Sequence, residues 1–298
     1  MKHVFIINPV AGDGKRQASL RAAIPAACAA RGLEYELYET KAAGDARRFA
    51  AEYPPEVEAR FYAVGGDGTL NELVRGVMAR GGGAVGFMPC GSGDDFVRYF
   101  ADKALFLDLE RQLSAAARPV DLVRVGADDY SLNMCNIGVD ADTAHDVHRF
   151  TRFIPGSFAY TVSLVNRFFL HKLGTQMRVT VDGEVFEGLF VLASFANGKA
   201  YGGGYFAAPR ARIDDGLLEV CLVKPVRRRQ FLSLVGRYKR GEHLDDPDFA
   251  PLMHYRRARH IQVELAADAI FCNDGETYPL RSVELTMEPG ALQLIDPS

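Results

Sequence analysis

Residues 64–72 read VGGDGTLNE, an apolar strand end that runs through Gly65-Gly66-Asp67-Gly68-Thr69 straight into a helix. Three glycines let backbone N–H groups approach a bulky anion closely. The helix that follows adds its unsatisfied first-turn donors and the positive end of its dipole, which suits a phosphate. Thr69 and Glu72 have the spacing of a capping box and mark the helix start. Asp67 lies inside this anion site, where a purely structural turn has no need of an acid. The stretch predicts a nucleotide-phosphate site.

On either side, strands alternate with helices over the first 110 residues. HVFIIN (3–8), EYELYET (34–40), RFYAVG (60–65) and AVGFMP (84–89) read as strands. Helices are predicted over 15–31, from about Ala42, over 69–80, and briefly from Asp95. Strands separated by helices of this length imply right-handed βαβ units and a parallel sheet. Ligands on such sheets sit beyond the carboxyl ends of the strands. Three loops fall at those ends: NPVAGDGK (8–15), GGDGT (65–69) and PCGSGDD (89–95).

From about Pro119 the pattern becomes β-rich. PVDLVRVG, DYSLNMCNIGVD, TQMRVTVDGEVFEG, LFVLASFANG, GLLEVCLVKP, HIQVELAADAIFCNDGE and SVELTMEPGALQLID all read as strands, with turn signals at Asp182-Gly183 and Asp274-Gly275. Helical stretches interrupt them at roughly 151–172 and 226–240. The expected architecture is α/β plus β. A nucleotide-binding α/β domain with a parallel sheet (1–128) precedes a β-sandwich substrate domain (129–298), with the active site in the cleft between them and the last strand free to return to the first domain.

At 298 residues with 48% hydrophobic content, the chain has enough apolar mass for two cores. A net charge of −3 gives no reason to expect nucleic acid. The total conceals twelve Lys/Arg against seven Asp/Glu over 210–260, which suits either a solvated face or one that meets anionic headgroups. Cys28, Cys90, Cys135, Cys221 and Cys272 are odd in number and never in CxxC spacing, so the reading is a reducing cytoplasm without disulfide or zinc. MKHVFIINP enters a strand directly, no stretch has membrane-spanning length, and no histidine pair has metal-ligand spacing. A cytoplasmic protein, at most peripherally membrane-associated, is expected.

The order NP-x-x-G, GGDGT-x-N-E and PCGSGDDFVR resembles the diacylglycerol kinase catalytic-domain family, particularly its bacterial lipid kinases. FANGKAYGGGYFAAPRARIDDGLLEV and NDGE (273–276) extend the resemblance through the second half. GGDG alone also occurs in NAD kinases and phosphofructokinases, whose α/β fold the first domain would share. The resemblance implies a kinase that uses ATP and Mg2+, with Asn8, Gly12, Thr40, Gly65, Gly66, Asp67, Gly68, Thr69, Asn71 and Ser92 meeting the nucleotide. It implies a metal held by the carbonyls of Arg212 and Leu217 and the carboxylate of Asp215, with Glu276 as general base and Asp67, Asp95 and Asp121 as acids associated with activity. Such chemistry needs cations on the polyphosphate, oxygen ligands for magnesium and a base within reach of an alcohol.

One departure stands out: Asp94 occupies the place of the family's usual Asn, and Lys15 or Arg98 is expected to compensate its charge. Other readings stay open. Asp215-Gly216 and Asp274-Gly275 serve equally as turns, Asp121 as a buried structural acid, and Asp140 and Asp142 as loop residues. The segments 153–174 and 226–241 suit packed helices as well as lipid-facing ones. Diacylglycerol is the expected acceptor at a membrane surface, with phosphatidylglycerol or a sphingoid base next. An NAD kinase and an inactive lipid- or nucleotide-binding protein are the competing functions, and a homodimer is the assembly considered.

Overall fold

The computed structural model describes residues 1–12, 14–146, 163–164 and 174–298. Its Cα packing divides the chain into two compact units, Met1–Asp121 with Gly290–Ser298, and Leu122–Pro289.

In the first unit β1 (Lys2–Ile7), β2 (Glu34–Glu39), β3 (Ala59–Gly65) and β4 (Ala84–Pro89) are joined by α1 (Lys15–Ala30), α2 (Asp45–Glu52) and α3 (Asp67–Arg80). β2, β1, β3 and β4 lie side by side in that order, all parallel, and Gln293 and Leu294 of the last strand add a parallel partner beyond β4. β1 and β3 are near-continuous apolar runs because helices cover both faces of a parallel sheet. Phe5, Ile7, Tyr62, Val64 and Met88 pack with Leu20, Ile24 and Cys28 of α1 in one core. Beyond β4 come a 3-10 turn (Phe96–Tyr99) and two short helices not foreseen in the sequence, α4 (Ala104–Leu107) and α5 (Leu109–Ser114).

The helix start at Thr69 needs correction. α3 begins at Asp67 with Gly66 in an extended conformation before it, and no side chain caps it. The Thr69–Glu72 capping box does not form. Glu72 instead accepts the N–H groups of Gly44 (2.8 Å) and Ala46 (3.2 Å), so its carboxylate caps the N-terminus of α2. An acid satisfies orphan donors wherever the fold brings them, and a neighbouring helix presents them here.

The second unit is built from β5 (Ala117–Val125), which enters it from the first, β6 (Asp129–Ser131), β7 (Met134–Gly138), α6 (Val139–Asp146), β8 (Thr175–Val181), β9 (Glu184–Phe190), β10 (Leu192–Ala196), β11 (Leu218–Val223), α7 (Arg228–Lys239), β12 (Met253–Ala258), β13 (His260–Asn273) and β14 (Glu276–Ile295), which belongs to the first unit from Gly290 on. Antiparallel pairing runs β12–β11–β10–β7–β13–β14, with β8 on β13 and β9 on β8. Alternate residues of these strands, among them Val179, Phe195, Val220, Ile261 and Phe271, form one apolar core. β12 is absent from the sequence reading, because MHYRRA carries two arginines among its six residues. The helical stretch expected over 151–172 lies outside the described residues except for Ser163 and Leu164, both buried.

Both Asp-Gly signals are two-residue hairpin turns. Asp182 and Gly183 have φ of 45° and 91°, and Asp274 and Gly275 have 48° and 92°. Positive φ at both central residues matches the twist of the flanking strands. Among the described residues no helix is long and apolar enough to cross a membrane.

Candidate active site

In-register parallel pairing sets Ile7 beside Val64 and Gly65 beside Pro89, so the loops after β1, β3 and β4 leave one edge of the sheet together. The Asn8 N–H donates to the Val64 carbonyl (2.9 Å), that of Thr40 to Ile7 (2.9 Å) and that of Cys90 to Gly65 (2.7 Å). The Asn8 side chain donates to the Thr69 hydroxyl at 3.1 Å. The loops touch backbone to backbone. A Cβ on Gly91 would lie 2.7 Å from the Gly66 Cα, and Gly12, at φ 58°, has its Cβ position blocked by the Cys90 carbonyl. Gly68 faces open space and Ser92 is exposed, so the packed loops keep one accessible side. Asn8, Gly12, Thr40, Gly65 to Thr69 and Ser92 are thus gathered at one sheet edge.

Asn71 is 2% exposed, and neither its amide nitrogen nor its amide oxygen has a protein partner. Each buried unsatisfied polar group costs roughly 1–3 kcal/mol, so a fold retains one where a ligand or water completes it.

Asp67 has a structural task that its sequence context did not suggest. Its two carboxylate oxygens accept the N–H groups of Asp95 (2.9 Å) and Phe96 (3.1 Å), and so tie the GSGDD loop to the start of α3. Burial, with the charge of Asp95 next, pushes the Asp67 carboxyl up to about 7, against those two bonds. Asp95 pairs with Arg98 Nε at 3.0 Å. Asp94 is fully enclosed, at φ 46°, with one oxygen accepting the Gly91 N–H (2.8 Å) and the other 2.7 Å from Lys103 Nζ. Its compensating cation is therefore Lys103, not Lys15 or Arg98. Lys103 lies outside the glycine-rich loop, and only the turn at 96–99 brings it back. Asp121 is buried on β5, where it accepts the Gly290 N–H at 2.8 Å from the returning C-terminal segment.

In the second unit the NDGE hairpin divides its labour. Asp274 accepts from the Ser131 hydroxyl (2.9 Å) and from the N–H groups of Leu132 (2.7 Å), Asn133 (3.1 Å) and Met134 (2.7 Å). Glu276, opposite Asn273 across the turn, is exposed. The first acid organises the turn, and the second is presented to solvent.

The Arg212–Leu217 loop borders an open cleft of about 560 Å3 lined also by Arg210, Glu219, Tyr255 and Arg257. The Asp215 Oδ1 atom accepts the Leu217 N–H at 3.1 Å, and Oδ2 is ion-paired with Arg257 Nη2. Two carbonyls and a carboxylate suit a hard divalent cation. The positive charge on that carboxylate in this fold is the Arg257 guanidinium, so the fit depends on Arg257 leaving.

An apolar cavity lies beside α7, lined by Leu164, Leu192, Val223, Phe231, Val235 and Leu252. Among the described residues the acid that lines it is Asp140, buried on α6 rather than in a loop, and hydrogen-bonded by the Tyr201 hydroxyl.

Residues 2–125 match the diacylglycerol kinase catalytic domain, and residues 133–296 match the YegS C-terminal NAD kinase beta sandwich-like domain. A Pseudomonas aeruginosa protein named "Probable lipid kinase YegS-like" is 33% identical over 92% of this chain and 88% of its own. A diacylglycerol kinase of Bacillus subtilis is 28% identical over 82% of this chain and 80% of its own. The crystal structure of a diacylglycerol kinase from Bacillus anthracis superimposes with a TM-score of 0.72 over 99% of this chain and 96% of that one, at 21% identity.

Proposed function

The chain belongs to the YegS/diacylglycerol kinase family of lipid kinases, and on that premise we propose that it moves the γ-phosphate of ATP, carried with magnesium, onto a lipid hydroxyl, with diacylglycerol as the leading acceptor. The observation that carries this reading is Asn71, a buried amide with no protein partner, one turn into α3, which starts within the GGDG stretch at Asp67. A nucleotide seated on the loop would supply what the fold leaves unmet.

In this reading the N–H groups of Gly66 and Gly68 and the α3 N-terminus hold the polyphosphate, with the Thr69 side chain beside it. Asn8, Gly12, Gly65, Thr40, Asn71 and Ser92 flank the nucleotide. Asp67, Asp95 and Asp121 would order magnesium and its waters. The acceptor oxygen attacks the γ-phosphorus, the bond to the bridging oxygen breaks, and its electron pair leaves with ADP. Glu276 takes the hydroxyl proton as the new bond forms. Arg212, Asp215 and Leu217 would hold a second cation only with the Arg257 guanidinium displaced from Asp215. The apolar cavity beside α7 suits acyl chains. The basic stretch at 210–260 suits a passing contact with an anionic membrane surface.

The test is a panel of diacylglycerol, phosphatidylglycerol, a sphingoid base and NAD, each incubated with labelled ATP and read by mass. Phosphatidic acid as the main product is expected. Label found only in NADP would overturn the acceptor class, and ATP binding without any product would reduce the protein to a binding module.

A further inference from the structure

The cation that matters to the Arg212–Leu217 loop is written into the chain. β11 and β12 pair antiparallel with Glu219 directly opposite Arg257, and Tyr255 stands two residues along on the same face. That register brings three side chains onto one carboxylate. The Glu219 group, 2% exposed, receives Arg257 Nε at 3.0 Å on one oxygen and the Tyr255 hydroxyl on the other. The remaining arm of the same guanidinium, Nη2, meets the Asp215 carboxylate. Arg257 therefore bridges two acids from different elements, the strand β11 and the loop before it, with the fork geometry that suits two carboxylates at once.

Asp215 is fixed from both sides. Its first oxygen closes its own turn on the Leu217 N–H, and its second carries the guanidinium. A divalent ion drawn to the carbonyls of Arg212 and Leu217 needs that second oxygen. A guanidinium and a doubly charged ion cannot share one carboxylate oxygen at contact distance without strong repulsion in a partly enclosed site. The other arginines of the cleft are engaged elsewhere, Arg210 with Asp245 and Arg212 with Asp214. Of the three, the cation on Asp215 is Arg257.

We propose that Arg257 is the resident cation of the Arg212–Leu217 loop, filling the structural role a divalent ion would have there, and that such an ion binds only by displacing it. The inference rests on the residues reported for the lipid-kinase reading but not on that activity. The loop's order then depends on β12, and free divalent-ion concentration has little hold over it.

Manganese binding, measured by electron paramagnetic resonance without nucleotide or lipid, tests the idea in the full-length chain. Asp215→Asn in the otherwise unchanged protein should leave manganese stoichiometry and affinity as they were. Arg257→Gln should gain one site, at least roughly tenfold tighter than anything Asp215-dependent in the parent, because a competing charge at contact distance is gone. Arg257→Gln/Asp215→Asn should lose that site again. An Asp215-dependent manganese site in the parent, as tight as in Arg257→Gln, overturns the proposal, and so does a folded Arg257→Gln that gains nothing. If Arg257→Gln fails to fold, the parent and Asp215→Asn pair still decides. None of these outcomes depends on which acceptor is phosphorylated.

Discussion

Lys103 holds its ammonium 2.7 Å from a carboxylate oxygen of Asp94 that solvent does not reach, while the other oxygen of Asp94 anchors the Gly91 N–H. The acid that departs from the family pattern thus arrives with its own counter-charge. Removing the lysine alone strands a buried charge, which is costly; neutralising both partners is not. Because Lys103 is itself partly exposed, we expect Lys103→Met to cost about 1–3 kcal/mol by denaturant titration. Asp94→Asn/Lys103→Met should recover most of that loss, since an amide oxygen still accepts from Gly91. Additive losses in the double variant would show that the pair does not interact.

Asp67 makes folding sensitive to pH in a predictable direction. A carboxyl pushed up to about 7 in the folded state has a value near 3.9 when unfolded, so the folded form binds the proton more tightly. Its contribution to stability is complete below about pH 4 and is lost as pH climbs through about 7. The melting temperature of the parent relative to Asp67→Asn should therefore fall between pH 5 and pH 8. A difference that is flat or rises over that range contradicts the assigned shift.

Much of this was legible in the chain because glycine and strand patterns are local. The parallel order of β1 to β4, the loops at their ends and the two Asp-Gly hairpins follow from apolar runs and backbone conformations that few residues tolerate. The partners of charged side chains were not legible. Lys103 reaches Asp94 only because the 96–99 turn reverses the chain, Glu72 caps a helix preceding its own, and Arg257 meets Glu219 through a strand register that no local motif encodes. Asp274 was hidden differently: its turn was recognised, but the four donors it gathers belong to residues 131–134.

Glu72 offers a test of capping between helices. The α2 N-terminus has Gly44 at φ 82° and no cap from its own segment, so its first donors depend on the Glu72 carboxylate. Glu72→Ala should cost about 1 kcal/mol, the usual size of a lost cap. Amide exchange at Gly44 and Ala46 should accelerate more than elsewhere in the first unit. Unchanged exchange at these two amides, with the expected loss of stability, would assign Glu72 another role.

Asp274 and Glu276 stand two residues apart, and their substitutions should separate structure from chemistry. Asp274→Ala leaves three backbone donors and a hydroxyl without their acceptor and places alanine at φ 48°. A loss of about 3 kcal/mol is expected, within the range for a broken buried network. Glu276→Ala, at an exposed position, should leave the melting temperature within about 2 °C of the parent while turnover falls by about a hundredfold or more. Near-normal turnover in Glu276→Ala would remove it as the base.

Asn71 sets stability against function most directly. Its amide is buried with both polar atoms unmatched, so Asn71→Leu replaces an unsatisfied group by an apolar one of similar size. Removing such a penalty should hold or raise stability by up to about 2 kcal/mol. The same change deprives a bound nucleotide of a donor and an acceptor, so ATP affinity should fall by roughly tenfold or more as measured by calorimetry. A destabilised Asn71→Leu with unaltered ATP binding would mean that ordered water, rather than nucleotide, completes this residue, and the phosphate site would have to be drawn without it.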